Sequence, residues 1–371
     1  MYSKIISSKT LGVKDKIKNM IAYFLRRRGA RILWNEEWAL IHKNTPAYNR
    51  AADKQIEKEH IRYWKAFRKK VNPSTMRMSL NISGTANPKC IPEEVFMSDI
   101  EPTLNGTDSV VYISNKSLAN NWFGGDVFPD DYIHNIDGDW LDHNLNSISF
   151  DQVRDIALTL TYPVVVKPNR DSFGGSNVFF PKSSDELVEL LQGRTNYLVQ
   201  EKLTQHPYFN GYNPHGINSL RVNIYRSVKD NQLHIFNVAF RMGVGGSLDN
   251  LTSGGIGVMV RPDGRMDGYA LDAKGKKHFK HPDTGCTFDQ QIPDYENLKA
   301  VSLQVASKVL YARIICLDMC YDAEGKWRMI EVNINGTTLM FAQYHGVPFF
   351  DQFTDEVRDY CITNHWTLKR R

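Results

Sequence analysis

The segment ICLDMCYDAEGKWRMIEVNING, residues 315–336, constrains the fold more than any other stretch of the chain. Apolar residues alternate with polar ones on both sides of Glu324-Gly325, the pattern of two antiparallel strands with one buried face. Ile315, Leu317 and Met319 fall on one face of the first strand, and Ile330, Val332 and Ile334 on one face of the second. A two-residue turn at Glu324-Gly325 pairs 318 with 331, and a four-residue turn slides the register without changing the faces. Either way Asp318, Glu331 and Asn333 share the polar face. Two carboxylates and an amide oxygen brought together repel unless a cation lies between them, and hard oxygen donors suit Mg²⁺. Taken alone, the same pattern describes an ordinary hairpin with one wet face.

The chain has 371 residues, 42% of them hydrophobic and 11% aromatic, enough for two or three domains with real cores. No run approaches the ~18–20 apolar residues that span a bilayer, and the start lacks the apolar core of a signal peptide. The five cysteines form no CxxC pair, so neither a zinc site nor a disulfide framework is indicated, and a reducing cytoplasm is expected. Charge is unevenly spread. Residues 1–72 hold 18 Lys+Arg against 6 Asp+Glu, and the remainder 28 against 35. A leader of net +12 can meet nucleic acid, an anionic membrane or an acidic partner. The solvated face of amphipathic helices is the plainer account. No nucleic-acid partner is expected, and peripheral membrane contact at Arg26-Arg27-Arg28 stays open.

Periodicity predicts helices over 14–28 and 53–70, the second ended by Asn72-Pro73-Ser74, then a mixed stretch from 80 to 110. A short strand is expected at 110–114. Ser149 with Gln152 forms a capping-box pattern for a helix ending near Thr161. Strands are expected at 164–167, 177–180, 197–203, 219–226 and 233–242, and at IGVMV after a glycine-rich stretch. Ser184 caps a helix closed by Gly193, and a further helix covers 295–312. A polar tail ends the chain. The order is α+β with antiparallel hairpins, not a regular βαβ series.

Several upstream pieces carry chemistry. VVVKPNRDSFGGSNVFF, residues 164–180, sets Lys167 at the end of a buried strand before a glycine loop. Such a loop wraps phosphate oxygens with its N–H groups, and lysine adds a point charge. No Walker sequence is present. Glu201-Lys202-Leu203 ends a strand that can offer backbone groups to an adenine edge. Arg221 and Arg241 are cations on otherwise apolar strands, suited either to a substrate's carboxylate or phosphoryl oxygens or to an internal salt bridge.

In order and spacing these pieces resemble the ATP-grasp superfamily of ATP-dependent carboxylate–amine ligases over roughly residues 110–345. The resemblance implies an α+β fold of two lobes gripping ATP. It further implies Lys116, Lys167, Ser172, Gly174, Gly175 and Ser176 at the phosphates, and Glu201, Lys202 and Leu203 at the adenine. Asp318, Glu331 and Asn333 would hold Mg²⁺, with Mn²⁺ as the alternative, and Arg221, Arg241 and Asn250 would attend catalysis. KCIPEEVFMSDIEPTLN (89–105), NSLRVNIYR, NLTSGGIGV and HPDTG (281–285) resemble more narrowly the sugar-transfer-associated branch, found among enzymes of bacterial exopolysaccharide and capsule synthesis. The acidic ribose partner expected after the hinge is missing, with Gln205, His215 or Asn218 as substitutes. The implied division is a basic helical region over 1–79, a pre-grasp region over 80–163, the lobes over 164–345 and a tail over 346–371. The implied activity joins a small-molecule carboxylate to an amine through an acylphosphate, the substrates being sugar-linked. A small-molecule kinase and a non-catalytic ATP-binding regulator are the alternatives. Oligomeric state is not legible.

Overall fold

A computed structural model describes residues 1–106, 112–170 and 177–370. Two antiparallel sheets organise it. The smaller contains β1 (Asp131–Ile136), β2 (Asp139–Asp142), β3 (Val165–Pro168) and β4 (Tyr197–Gln200) in the order β2-β1-β4-β3. Helices Phe150–Thr159 and Ser184–Leu191 cover it, and Val153, Ala157, Leu187 and Leu191 pack on Ile133, Val166 and Val199. The larger contains β5 (Ser219–Arg226), β6 (Leu233–Met242), β7 (Ile256–Val260), β8 (Ala270–Asp272), β9 (Lys277–His278), β10 (Ile314–Tyr321) and β11 (Trp327–Asn333). Their order is β11-β10-β5-β6-β7-β8-β9.

Both faces of the larger sheet are buried, which is why its strands read as long apolar runs. Leu220, Val222, Val238, Phe240, Leu317 and Met319 face helix Tyr295–Ser307. On the opposite face, Tyr225, Phe236, Ile314 and Cys316 meet Trp64, Phe96, Phe349 and Phe350. The amino-terminal helices therefore back the larger sheet.

Several local expectations are corrected. The first helix does not stop at Arg28; it runs over Val13–Asn44, because Gly29 lowers helix propensity without breaking the hydrogen-bond ladder. The second ends at Trp64, and a new helix, Ser74–Ser83, starts directly after Pro73. Residues 93–104 are helical, with a π turn at Phe96–Ile100 between Glu93–Val95 and Glu101–Leu104. Of the strand expected at 110–114, residues 112–114 form a 3₁₀ turn and the rest lies outside the described residues. The 177–180 strand reduces to a single bridge, Val166 to Phe179. Ser183, not Ser184, caps the helix before Gly193, accepting the Glu186 N–H. The tail forms helix Thr354–Thr363 and buries Trp366, whose indole N–H donates to the Ser98 carbonyl at 2.9 Å. The Ser149–Gln152 capping box and the bounds of β5, β6 and β7 are as expected.

Candidate active site

The β10–β11 hairpin turns through three residues, not two. Asp322 pairs with Lys326 across Ala323-Glu324-Gly325, its Oδ1 accepting the N–H groups of Glu324 and Lys326 at 3.0 and 2.8 Å. Gly325 sits at φ +76°, the left-handed conformation that closes such loops. That register would misalign the polar face, but a β-bulge between Asp318 and Met319 restores it. Asp318 pairs with Glu331 and Cys316 with Asn333, while Met319 pairs with Met329 and leaves Ile330 unpaired. The bulge changes which residues are core: Met329 and Trp327 join Val332 and Ile334, and Ile330 is only half-buried. The polar trio still shares one face, and the Asn333 amide donates to Asp318 Oδ2 at 3.3 Å and Glu331 Oε2 at 3.5 Å.

Cations crowd this face. Arg221, on the neighbouring strand β5, donates to both oxygens of Asp318 at 2.8 Å each. Arg241 on β6 reaches Asp318 Oδ2 at 3.2 Å and Asp249 at 3.1 Å. The internal ion pair foreseen for these arginines is thus realised. Burial works to raise the Asp318 carboxyl, but the Arg221 and Arg241 guanidiniums outweigh it and hold the group below the usual range. Ser219 fastens the arrangement, its hydroxyl accepting from Arg241 and donating to Asp249. Asp249 was missed in the sequence; its position next to Asn250 was the available signal.

The smaller sheet supplies two lysines. Lys116 follows the N-cap Asn115, and its backbone N–H donates to the Asn169 carbonyl just beyond β3. Its ammonium lies 2.9 Å from Glu331 Oε1. Lys167 on β3 is buried; burial and the neighbouring Lys116 charge push it down to about 8, with Glu331 and Asp131 opposing. Lys116, Lys167, Arg221 and Arg241 therefore collect around Asp318, Glu331 and Asp249. Ser172, Gly174, Gly175 and Ser176 lie outside the described residues.

The 201–206 segment joins the sheets. The Glu201 N–H donates to the Asp130 carbonyl, and its carboxylate accepts from Arg328, which also reaches Asp322 and the Phe128 carbonyl. Ala323 N–H donates to Thr204 and His206 N–H to Tyr321, so the segment lies along the hairpin tip. Among the described residues, the N–H groups of Lys202 and Leu203 take no partner, which leaves them available to a ligand edge. Gln205 and Asn218 are occupied with each other and with Asn210, Phe209 and Asn213; they fasten the loop rather than face a ribose. His215 is exposed beside them. Asn250 caps the 3₁₀ turn Leu251–Ser253, its Oδ1 accepting from the Thr252 N–H and hydroxyl.

Asp318, Glu331 and Asn333 have the donor chemistry of a hard-cation site. Glu331 and Asn333 carry the accessible oxygens, whereas Asp318 is already neutralised by the arginines. Among the described residues, no three His, Cys, Asp or Glu gather closely enough to hold a metal by themselves, so the third ligand would be the amide.

Over residues 100–347 the sequence matches the family described as sugar-transfer associated ATP-grasp. The chain belongs to that family. It is a branch of the ATP-grasp superfamily, whose members are ATP-dependent ligases. No curated protein matches the chain. Similar solved structures include N5-carboxyaminoimidazole synthetase from Staphylococcus aureus, at 8% identity and a TM-score of 0.40, covering 68% of this chain and 51% of that one. The ATP-grasp ligase PsnB with its minimal precursor matches at 14% identity and 0.41, covering 68% and 62%. The VanG D-Ala:D-Ser ligase from Enterococcus faecalis matches at 16% and 0.39, covering 67% and 62%. This ATP-grasp chain thus spans less than two thirds of the length of each.

Proposed function

We propose that this ATP-grasp protein is a ligase that activates a carboxylate with ATP and joins it to an amine, acting in the cytoplasm on sugar-linked substrates of polysaccharide synthesis. The observation that carries the reading is the meeting of Lys116 and Lys167, from the smaller sheet, with Arg221 and Arg241, from the larger one, around the Asp318–Glu331 pair. The two lysines and two arginines bring four positive charges to the cleft, the groups that suit a polyphosphate. The five cysteines are free thiols, four of them buried, as a reducing compartment allows.

A substrate carboxylate oxygen attacks the γ-phosphorus of ATP, the β–γ bridging P–O bond breaks, and ADP leaves. The amine nitrogen then attacks the acyl carbon, the C–O bond to phosphate breaks, and an amide and phosphate result. Lys116 and Lys167 hold the phosphates, so that catalysis is chiefly positioning and charge neutralisation. Arg221 and Arg241, whose Nη1 groups take no hydrogen bond among the described residues, orient the carboxylate and steady the oxyanion of the tetrahedral intermediate. Backbone groups at Glu201, Lys202 and Leu203 meet the adenine. Asp318, Glu331 and Asn333 would hold Mg²⁺ or Mn²⁺, which when bound shields phosphate charge.

The test is ADP release across pairs of carboxylates and amines, with mass spectrometry of the product. A ligase requires both partners and yields their condensed mass. ADP formed with a hydroxyl acceptor alone identifies a kinase instead, and nucleotide binding without turnover on any pair identifies a regulator. Glu331→Gln should lower ADP release by about 100-fold or more while the melting temperature holds, since its ion pair with Lys116 is partly exposed and contributes little to stability.

An independent feature supports docking on an anionic membrane surface. On helix Val13–Asn44, residues Val13, Ile17, Ile21, Phe24, Leu25 and Ile32 are each between 45 and 76% exposed. At 100° per residue they fall within an arc of about 120°. Exposed Lys14, Arg28 and Arg31 interleave with them. Asp15 is the one acid between residues 13 and 35. Pairing this face with a second copy would bring like charges together, whereas anionic lipid complements it. No helix among the described residues is long and apolar enough to cross a membrane.

A further inference from the structure

A cavity of about 440 Å³ opens between helix Val13–Asn44, the helical run over 93–104 and the loop Gly336–Leu339 that follows β11. Its size is within the roughly 300–1,000 Å³ of small-molecule pockets. Three carboxylates line it, Glu37, Glu93 and Glu101, with Arg26 as the one cation in the lining and Phe96, Leu33 and Leu339 as its apolar part. The inner wall adjoins the acidic hairpin. Glu101 Oε1 accepts the Thr337 N–H at 3.1 Å, and the Thr337 hydroxyl lies 3.4 Å from Sγ of Cys316, the strand partner of Asn333.

Three observations point to a ligand. Glu93 is 3% exposed, and among the described residues its carboxylate accepts no hydrogen bond, while its backbone N–H donates to Thr75 and its carbonyl accepts from Phe96. An unpartnered buried carboxylate is costly to fold around, and burial together with Glu37 and Glu101 pushes its pKa well above the ordinary range. The π turn is the second. Residues eight apart on a regular α-helix point about 80° apart, and one extra residue in a π turn reduces this to about 20°. It therefore sets Glu93 and Glu101 on one side of the run. Third, Gly29 lines the cavity from mid-helix, where glycine costs about 1 kcal/mol relative to alanine. A Cβ at Gly29 would meet nothing within 4 Å, so packing does not require the glycine.

We infer that this cavity seats the amine substrate, and that the amine arrives as an organic ammonium ion held by Glu93 and Glu101. The carboxylates are too dispersed for one metal ion, since no three acidic, His or Cys groups among the described residues converge closely enough. The mixed apolar lining suits a cation with a carbon body. The ammonium proton passes to Glu101, the carboxylate nearest the hairpin. The freed nitrogen then attacks the acyl carbon and the acyl C–O bond breaks; the second proton the nitrogen loses on becoming an amide leaves with the phosphate, and Glu101 returns the first to solvent. This assignment rests on the ligase reading above.

The test is calorimetric titration of the full chain with glucosamine and putrescine, against glucose and glucuronate as neutral and anionic controls. At least one ammonium probe should bind about tenfold or more tightly than both controls. Glu93→Gln should weaken that binding about tenfold or more. Gly29→Leu, which plugs the cavity from a position with open space, should abolish it. MgADP affinity should stay unchanged in both variants, and neither should melt below the wild type. An absence of ammonium preference, or a preference that survives both substitutions, overturns the inference. If the wild type releases ADP yet shows no ammonium preference, this inference alone fails; if it binds no MgADP, the ligase reading fails and the amine's role goes with it.

Discussion

Arg221 and Asp318 face each other across paired strands, joined by two parallel hydrogen bonds. Removing one partner strands the other in a buried site, so Arg221→Met should cost about 3–5 kcal/mol in urea denaturation. Arg221→Met combined with Asp318→Leu should recover most of that loss. Because Asp318 titrates below the unfolded value of about 3.9, its contribution is present above that pH and is lost as pH falls through the folded value. The double variant should lack that acid-side loss. Lys167 behaves oppositely. Its folded value, about 8, lies below the ~10.4 of a free lysine, so its charge opposes folding at neutral pH, and stability rises as pH goes from 8 toward 10. The charge proposed to hold phosphate disappears over the same interval. ADP affinity, followed by fluorescence titration, should fall as pH rises through about 8 in the wild type and stay flat in Lys167→Arg.

At the scale of elements, helix Val13–Asn44 offers the sharpest expectation. Wild-type chain should co-sediment with vesicles rich in phosphatidylserine and not with phosphatidylcholine vesicles. Phe24→Glu with Leu25→Glu should abolish this without loss of fold, since both side chains are already exposed. Retained sedimentation of that variant would remove the membrane reading. Elements were legible where burial wrote the period plainly. β5, β6 and β7 came out with their observed bounds because both faces of their sheet are packed and the apolar runs have polar ends. The pairing of Asp318 with Glu331 follows in sequence from a two-residue turn, and it holds in the structure only because a bulge offsets the three-residue turn. The bulge at Ile330 was not legible: local alternation cannot show that a three-residue turn shifts one register and a bulge shifts it back. Helix ends beyond Arg28 and at Trp64 depend on tertiary contacts that periodicity does not carry. Asp249, Glu93 and Glu101 were invisible as a group, because only folding brings the first to Arg241 and the other two to one cavity.

Across the whole molecule, Asp99 is where the amino-terminal helices, the 93–104 run and the carboxy terminus are joined. Its carboxylate accepts from Tyr23 at 2.6 Å, Ser98 at 2.5 Å and Arg68 at 3.4 Å, and lies 3.1 Å from His365. Burial works to raise it, but His365 and Arg68 prevail and keep it ionised below the usual range. Asp99→Ala leaves Arg68 buried without this counter-charge and removes the acceptor beside His365, and should cost about 3–5 kcal/mol, read from the urea midpoint. The connection between the two sheets has a mechanical consequence. Arg328, Thr204 and Tyr321 pin the 201–206 segment to the hairpin tip, while at the other end of β3 the one ion pair among the described residues that spans the gap joins Lys116 to Glu331. The segment is a fulcrum and β3 a lever arm. Any tilt of the smaller sheet about this pivot barely alters distances near Glu201 and is magnified toward Asn169. The cleft would thus close like a stapler, tightest between Lys116 and Glu331.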